Sequence, residues 1–183
     1  KNPDVAYVAA GGNEWSYNNN RGVYKTTDGG KSWSRILGND EKTGAIDLVM
    51  DPTNPDLIIA STWNRIRRRW SDPVPEDGDY LYKTIDGGKT WVRNFHVSDN
   101  TGCNEVYLDP NMPGTMYAAF HQRRRHEWTY LGGGPESALY KSTDNGKSWR
   151  KLAGGLPGGE LGRITIATTT KAGQMYAMVE AEE

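Results

Sequence analysis

Asp47 and Glu105 stand 58 residues apart at equivalent places of an internal repeat. A glycosidic bond is cleaved by two carboxyl groups, about 5–5.5 Å apart for retention or about 6.5–9.5 Å for inversion. These two acids are therefore the candidate catalytic pair. The same equivalence fits a plainer role, in which each carboxylate anchors a loop by accepting main-chain N–H groups. Asp40, Glu41, Asp99 and Glu160 are further acids in the segments between repeats. A second constellation mixes arginine with aromatic rings. It comprises Trp15 in one loop, Trp63, Arg67, Arg68, Arg69 and Trp70 in another, and Arg123, Arg124, Arg125 and Trp128 in a third. Guanidinium groups grip carboxylates in pairs of hydrogen bonds, and Trp faces stack on sugar rings, so these residues are the candidate ligand-binding set for an anionic or sugar ligand. Arginine stems packed along Trp faces, holding long loops still, are the alternative.

Other chemistries find no residues. His96, His121 and His126 lack metal-ligand spacing, and Cys103 is the single cysteine, so neither a metal nor any other cofactor is expected. That cysteine reads as a small buried side chain. Gly132-Gly133-Gly134 has no strand–helix setting and no Lys of a phosphate loop.

The elements that must position these residues are copies of one unit. Thr26-Thr27-Asp28-Gly29-Gly30-Lys31-Ser32-Trp33 returns around Asp86, Gly88 and Trp91 and again around Asp144, Gly146 and Trp149, at a constant interval of 58 residues. A fixed period of this length marks a repeat architecture. Each repeat reads as four strands. The innermost are 45–50, 103–108 and 162–168; the second 5–10, 57–61, 115–120 and 174–179. The third are 22–27, 80–85 and 138–143, and the outer 32–37, 90–95 and 148–152. Thirteen strands make three four-strand cycles plus one, an all-β propeller fragment divided near 1–44, 45–102, 103–161 and 162–183. In each hairpin between third and outer strands, Asp28, Asp86 or Asp144 accepts N–H groups across the turn. The next two positions need φ > 0, which Gly supplies, or Asn145 in the third copy. Each Trp is expected on the apolar layer between neighbouring blades. Three copies in one local context argue for a structural part rather than a catalytic one.

Connections alternate between the two ends of a blade. The Asp–Gly hairpins share one face with the Asp51-Pro52 and Asp109-Pro110 turns, so the long loops occupy the opposite face. Hydrophobic residues are 36% of the 183 and the net charge is −1, without the continuous basic face that nucleic acid requires. No stretch approaches the ~20 apolar residues of a membrane span. Lys1-Asn2-Pro3-Asp4 parallels Thr53-Asn54-Pro55-Asp56, so the sequence is expected to be a piece of a longer chain whose targeting signal lies elsewhere. The remaining blades would come from that chain or from a partner protein.

The motif Ser/Thr-x-Asp-x-Gly-x-Ser/Thr-Trp resembles the Asp box of bacterial neuraminidase-repeat β-propellers, found in sialidases, xyloglucanase-type glycoside hydrolases and sortilin-like receptors. The wording between boxes, such as Gly44-Ala45-Ile46-Asp47-Leu48-Val49-Met50-Asp51-Pro52 and Arg123-Arg124-Arg125 before Trp128, is most similar to large secreted bacterial sortilin-like proteins. The resemblance implies a secreted, periplasmic or cell-surface bacterial protein with its ligand on the loop face. The leading expectation is a non-catalytic binding or scaffold module for a peptide, glycan or partner protein. The alternatives are part of a glycoside hydrolase and an architectural subunit of an extracellular assembly. The sialidase pattern fits less well, because its arginines come singly from separate blades and these come in runs.

Overall fold

The computed structural model describes residues 2–38, 40–64, 66, 79–125, 128–169 and 171–182. Among them there is no helix, and the order is β1 (Ala6–Ala10), β2 (Gly22–Thr26), β3 (Ser34–Leu37), β4 (Gly44–Met50), β5 (Ile58–Trp63), β6 (Leu81–Thr84), β7 (Val92–Phe95), β8 (Thr101–Leu108), β9 (Met116–Gln122), β10 (Arg124–Arg125), β11 (Tyr130–Leu131), β12 (Ala138–Ser142), β13 (Arg150–Lys151), β14 (Leu161–Thr168) and β15 (Met175–Ala181). They form antiparallel sheets of consecutive strands: β1-β2-β3, β4-β5-β6-β7, β8-β9-β12-β13 and β14-β15. A small hairpin, β10-β11, which the sequence reading did not anticipate, rises from the third sheet's long loop. The thirteen meander strands are thus distributed three, four, four and two.

The sheets stack through apolar faces. Val23, Ala45 and Ala60 join the first to the second, with Ile36 and Trp91 packed against them. Leu57, Ile59, Leu81, Cys103, Val106, Met116, Ala118 and Phe120 join the second to the third. Tyr117, Ala119, Leu139, Leu161, Ile164 and Ile166 join the third to the fourth. Val23, Leu81 and Leu139 are one repeat position, which shows that each junction reuses the same contacts.

The Asp–Gly hairpins explain where the outer strands begin. Asp28 accepts the Ser32 N–H at 2.9 Å and the Ser32 hydroxyl at 2.5 Å, while Gly30 N–H donates to Thr26 Oγ1 at 2.9 Å. Asp86 with Thr90, and Asp144 with Ser148, repeat this set. Residues that face inward to a carboxylate cannot also serve a ladder, so the outer strands start at Ser34, Val92 and Arg150, two residues later than the sequence reading placed them. The left-handed pair is present in each copy: Gly29 and Gly30 at φ 70 and 87, Gly87 and Gly88 at 67 and 88, Asn145 and Gly146 at 60 and 76. Gly29, Gly87 and Asn145 also donate N–H groups to Asp4, Asp56 and Gly114, tying every hairpin to the turn before the second strand. That fixes the hairpins on one face and the long loops on the other.

The tryptophans divide. Trp149 stacks on Phe95 of the preceding sheet at 5.4 Å and 14° and donates Nε1–H to Asn94; Trp91, like Ile36 and Leu37, packs against the Val23–Ala45–Ala60 cluster. Trp33, expected between blades like the others, is 42% exposed. Among the described residues no sheet precedes β1-β2-β3, so its ring has no surface to meet.

Candidate functional site

Asp47 and Glu105 lie beside a bulge that recurs in each innermost strand, between Ala45 and Asp47 and between Cys103 and Glu105. The bulge turns each carboxylate sideways, toward the next sheet. Asp47 Oδ2 accepts the Val106 N–H at 2.9 Å and its Oδ1 accepts Leu48 N–H at 2.9 Å. Glu105 Oε1 accepts the Ile166 N–H at 3.4 Å. Each acid is therefore a tie from one blade to the main chain of the next, with both oxygens of Asp47 and one of Glu105 accepting main-chain N–H groups. The buried Cys103 thiol sits at the same bulge, its pKa pushed up by desolvation.

On the loop face the candidate aromatic residues separate. Trp15 and Trp128 are 64% and 80% exposed. Trp63, expected beside them, is 4% exposed. It closes β5, and its ring lies against the main chain of Gly102, where any Cβ would collide with it; it meets the His121 ring edge-on at 6.2 Å. Core packing thus takes this Trp away from solvent. Arg67, Arg68, Arg69 and Trp70 fall outside the described residues. Arg123 lies over the Tyr130 ring at 5.4 Å and Arg124 donates to Asn100 at 2.5 Å; of Arg125 only the main chain, in β10, is described. Two of the three arginines in this run are engaged with neighbouring loop residues.

Beside Tyr130 lies a recess of about 250 Å³ lined by Tyr130, Leu131, Gly132, Gly133, Glu160, Gly162, Glu180, Ala181 and Glu182. Its floor is main chain. A Cβ on Gly133 would sit 2.6 Å from Leu161 O, and one on Gly162 2.6 Å from Gly132 O and from Glu180 Oε2. The glycines therefore bring the β11 loop and the start of β14 together. Glu180 Oε2 accepts the Arg163 N–H at 3.1 Å. Of these residues the sequence reading named only Glu160 among its acids. Glu180 lies in β15 and Glu182 directly after it, in a segment whose period gives no hint of function, and only folding brings them to the Gly132 loop. Three carboxyl groups around one recess repel an anion and accept hydrogen bonds from hydroxyl groups.

The loops are held from beneath by one repeat position that composition alone conceals. Arg21, Asp79 and Ser137, 58 residues apart, are all buried just before the third strand. Arg21 donates to Asn13 O at 2.6 Å. Asp79 Oδ1 accepts the Asn64 N–H at 2.5 Å, and Ser137 Oγ accepts the Gln122 N–H at 2.9 Å. Each closes its own loop at the base. Desolvation raises the Asp79 pKa to about 8. On the surface between loops, Glu136 accepts the Ser98 and Thr101 hydroxyls at 2.5 and 2.6 Å, which hold its pKa below the usual range.

Stacked, bulge-tied four-stranded meanders with hairpins on one face and clamped loops on the other define part of a β-propeller. No protein-family model matches the chain. It is 31% identical over 165 residues, 84% of its length, to a probable oligoxyloglucan-reducing end-specific xyloglucanase of Neosartorya fischeri, and spans 17% of that protein. It aligns with the GH74 xyloglucanase from Xanthomonas campestris at TM-score 0.58 and 12% identity, over 99% of this chain and 27% of that one. An ancestral GH74 enzyme aligns at TM-score 0.50 and 17% identity, over 81% and 18%. The chain is part of a β-propeller, similar in sequence to a segment of a probable xyloglucanase and spanning less than a fifth of that curated relative. Among the described residues no helix is long and apolar enough to cross a membrane, and no cluster of His, Cys, Asp and Glu has the form of a metal site.

Proposed function

We propose that this chain is a non-catalytic, glycan-binding part of a larger secreted or cell-envelope propeller protein of the Asp-box, sortilin-like kind, and that its loop face engages a neutral polysaccharide of the xyloglucan type. One observation carries the reading: Asp47 and Glu105 are taken up by blade-to-blade main-chain bonds, whereas the loop face keeps an open, glycine-floored recess beside Tyr130. The recess is small beside the about 300–1,000 Å³ of drug-sized sites, which suits one sugar ring of a longer chain. Its carboxylates favour hydroxyl donors over an anionic ligand, and exposed Trp15 and Trp128 extend the face with stacking surfaces. The xyloglucanase among the relatives supports the choice of polymer.

A second reading, hydrolysis, draws support from the concentration of Glu160, Glu180 and Glu182 in that recess. Calorimetric titration with xyloglucan oligosaccharides, followed by a reducing-end assay, separates the two. Binding weakened about tenfold by Tyr130→Ala, without release of reducing ends, is the expected result. Release of reducing ends that Glu160→Gln or Glu182→Gln abolishes would establish the hydrolase. Absence of binding at millimolar oligosaccharide would remove the glycan reading.

A further inference from the structure

The second strands carry one repeat position that points toward the following sheet just beneath the loop face. Trp63 holds it opposite Gly44, and His121 holds it opposite Gly102. In β15 Glu180 stands there, beside the bulge between Leu161 and Ile164. The buried Trp63 ring meets the His121 ring edge-on. His121, also buried, leads on toward the recess, where its Nε2–H donates to Gly132 O at 2.8 Å. A Cβ on Gly162 would lie 2.6 Å from that same carbonyl oxygen and 2.6 Å from Glu180 Oε2. Trp63, His121 and Glu180 therefore make a row across three blades, and its last member lines the recess.

Burial lowers the His121 pKa, although the Gly132 carbonyl and the Glu180 charge favour the protonated ring. A carbonyl oxygen can only accept, so the neutral ring carries its proton on Nε2. The bond matters because Gly132, Gly133 and Gly134 bring no side chains to hold their own segment. Gly134 N–H donates to Leu161 O at 3.1 Å, and His121 supplies an anchor two residues earlier. Gly132 also stands between two walls of the recess. A Cβ there would meet the Tyr130 ring at 3.1 Å and Glu180 Oε1 at 3.4 Å. Where Gly132 sits thus sets the gap between stacking ring and carboxylate. Glu180 Oε2 is occupied by the Arg163 N–H, and among the described residues no donor reaches Oε1.

We propose that His121 is a positioning residue of this recess: it fixes Gly132 so that Tyr130 stacks on a sugar ring while Glu180 Oε1 accepts one of its hydroxyls. This role rests on the recess being a glycan subsite, and it lies in the Nε2–H rather than in the bulk of the ring.

Two variants separate the donor from the ring. His121→Phe keeps a ring against Trp63 and loses the N–H, whereas His121→Gln returns an amide N–H near the place of Nε2. The readouts are calorimetric affinity for xyloglucan oligosaccharides and NMR hydrogen exchange of the Gly134 amide, measured against the amides of β4 and β5 to discount global opening. His121→Phe should weaken binding about fivefold and speed Gly134 exchange about as much, the net worth of one hydrogen bond. His121→Gln should bring both to within about twofold of the parent. Equal losses in the two variants would overturn the proposal, because packing of the ring would then be the cause. So would affinity and Gly134 exchange that His121→Phe leaves unchanged. A parent that binds no oligosaccharide, with Gly134 exchange still following the Phe and Gln pattern, would overturn the sugar contact together with the glycan reading and leave His121 as the anchor of the Gly132 loop.

Discussion

Asp79 offers the sharpest test of how the loop face is held. Its side chain is buried at the base of the second sheet's long loop, where Oδ1 accepts the Asn64 N–H. Oδ2 and the buried Asn64 Oδ1 have no partner among the described residues. A buried carboxyl avoids charge, and desolvation lifts its pKa from 3.8 to about 8. The folded state therefore holds a proton that the unfolded chain releases near pH 4. Between those values the folded state binds more protons, so stability falls as pH rises from about 4 to about 8 and levels beyond. Over the three units from pH 5 to 8, at about 1.4 kcal/mol each, the loss is about 4 kcal/mol. Asp79→Asn keeps the acceptor for Asn64 and removes the titration. Urea unfolding at fixed ionic strength should show the variant more stable than the parent by a margin that grows by about 4 kcal/mol from pH 5 to 8. The buried His121, whose pKa burial lowers, makes stability fall in acid instead, and it cancels in the comparison because both proteins carry it. A margin that changes by less than about 1 kcal/mol, or shrinks as pH rises, would refute a neutral buried carboxyl here.

Three further outcomes follow from the junctions. Trp149→Ala should cost about 3 kcal/mol in urea unfolding, the usual range for a packed Trp, and Trp33→Ala under about 1 kcal/mol, because Trp149 stacks on Phe95 of the preceding sheet whereas Trp33 is 42% exposed. Asp47→Ala should cost about 2 kcal/mol by leaving the Val106 N–H without its acceptor, with oligosaccharide affinity unchanged by calorimetry. The hairpin carboxylates are held below the normal range by Ser and Thr hydroxyls and amides, Asp28 to about 2. Their contribution is complete above the unfolded value near 4 and lost as pH falls toward 2, so circular dichroism should show the sheets loosening across that interval. Replacement of all three by Asn should flatten the response.

The sequence alone determined the periodic part of this molecule. A constant 58-residue interval and a hairpin whose Asp, Gly and hydroxyl residues satisfy one another locally leave little for distant contacts to decide. The strand order, the two faces and the positive-φ turns were therefore legible from residues such as Asp86 and Gly88. Tertiary structure decided the roles of residues whose partners lie a blade away. Asp47 and Glu105 carry the composition of a catalytic pair, yet a bulge in the strand aims them at the next blade's main chain. Trp63 reads like Trp15 and Trp128 in a loop list, but the side chain of a strand's last residue turns inward where Gly102 leaves room. Arg21, Asp79 and Ser137 share no chemistry that a pattern would detect, and only burial reveals a common task. Glu180 and Glu182 meet Gly132 because two sheets stack, and sequence distance carries no record of which sheet stands next to which.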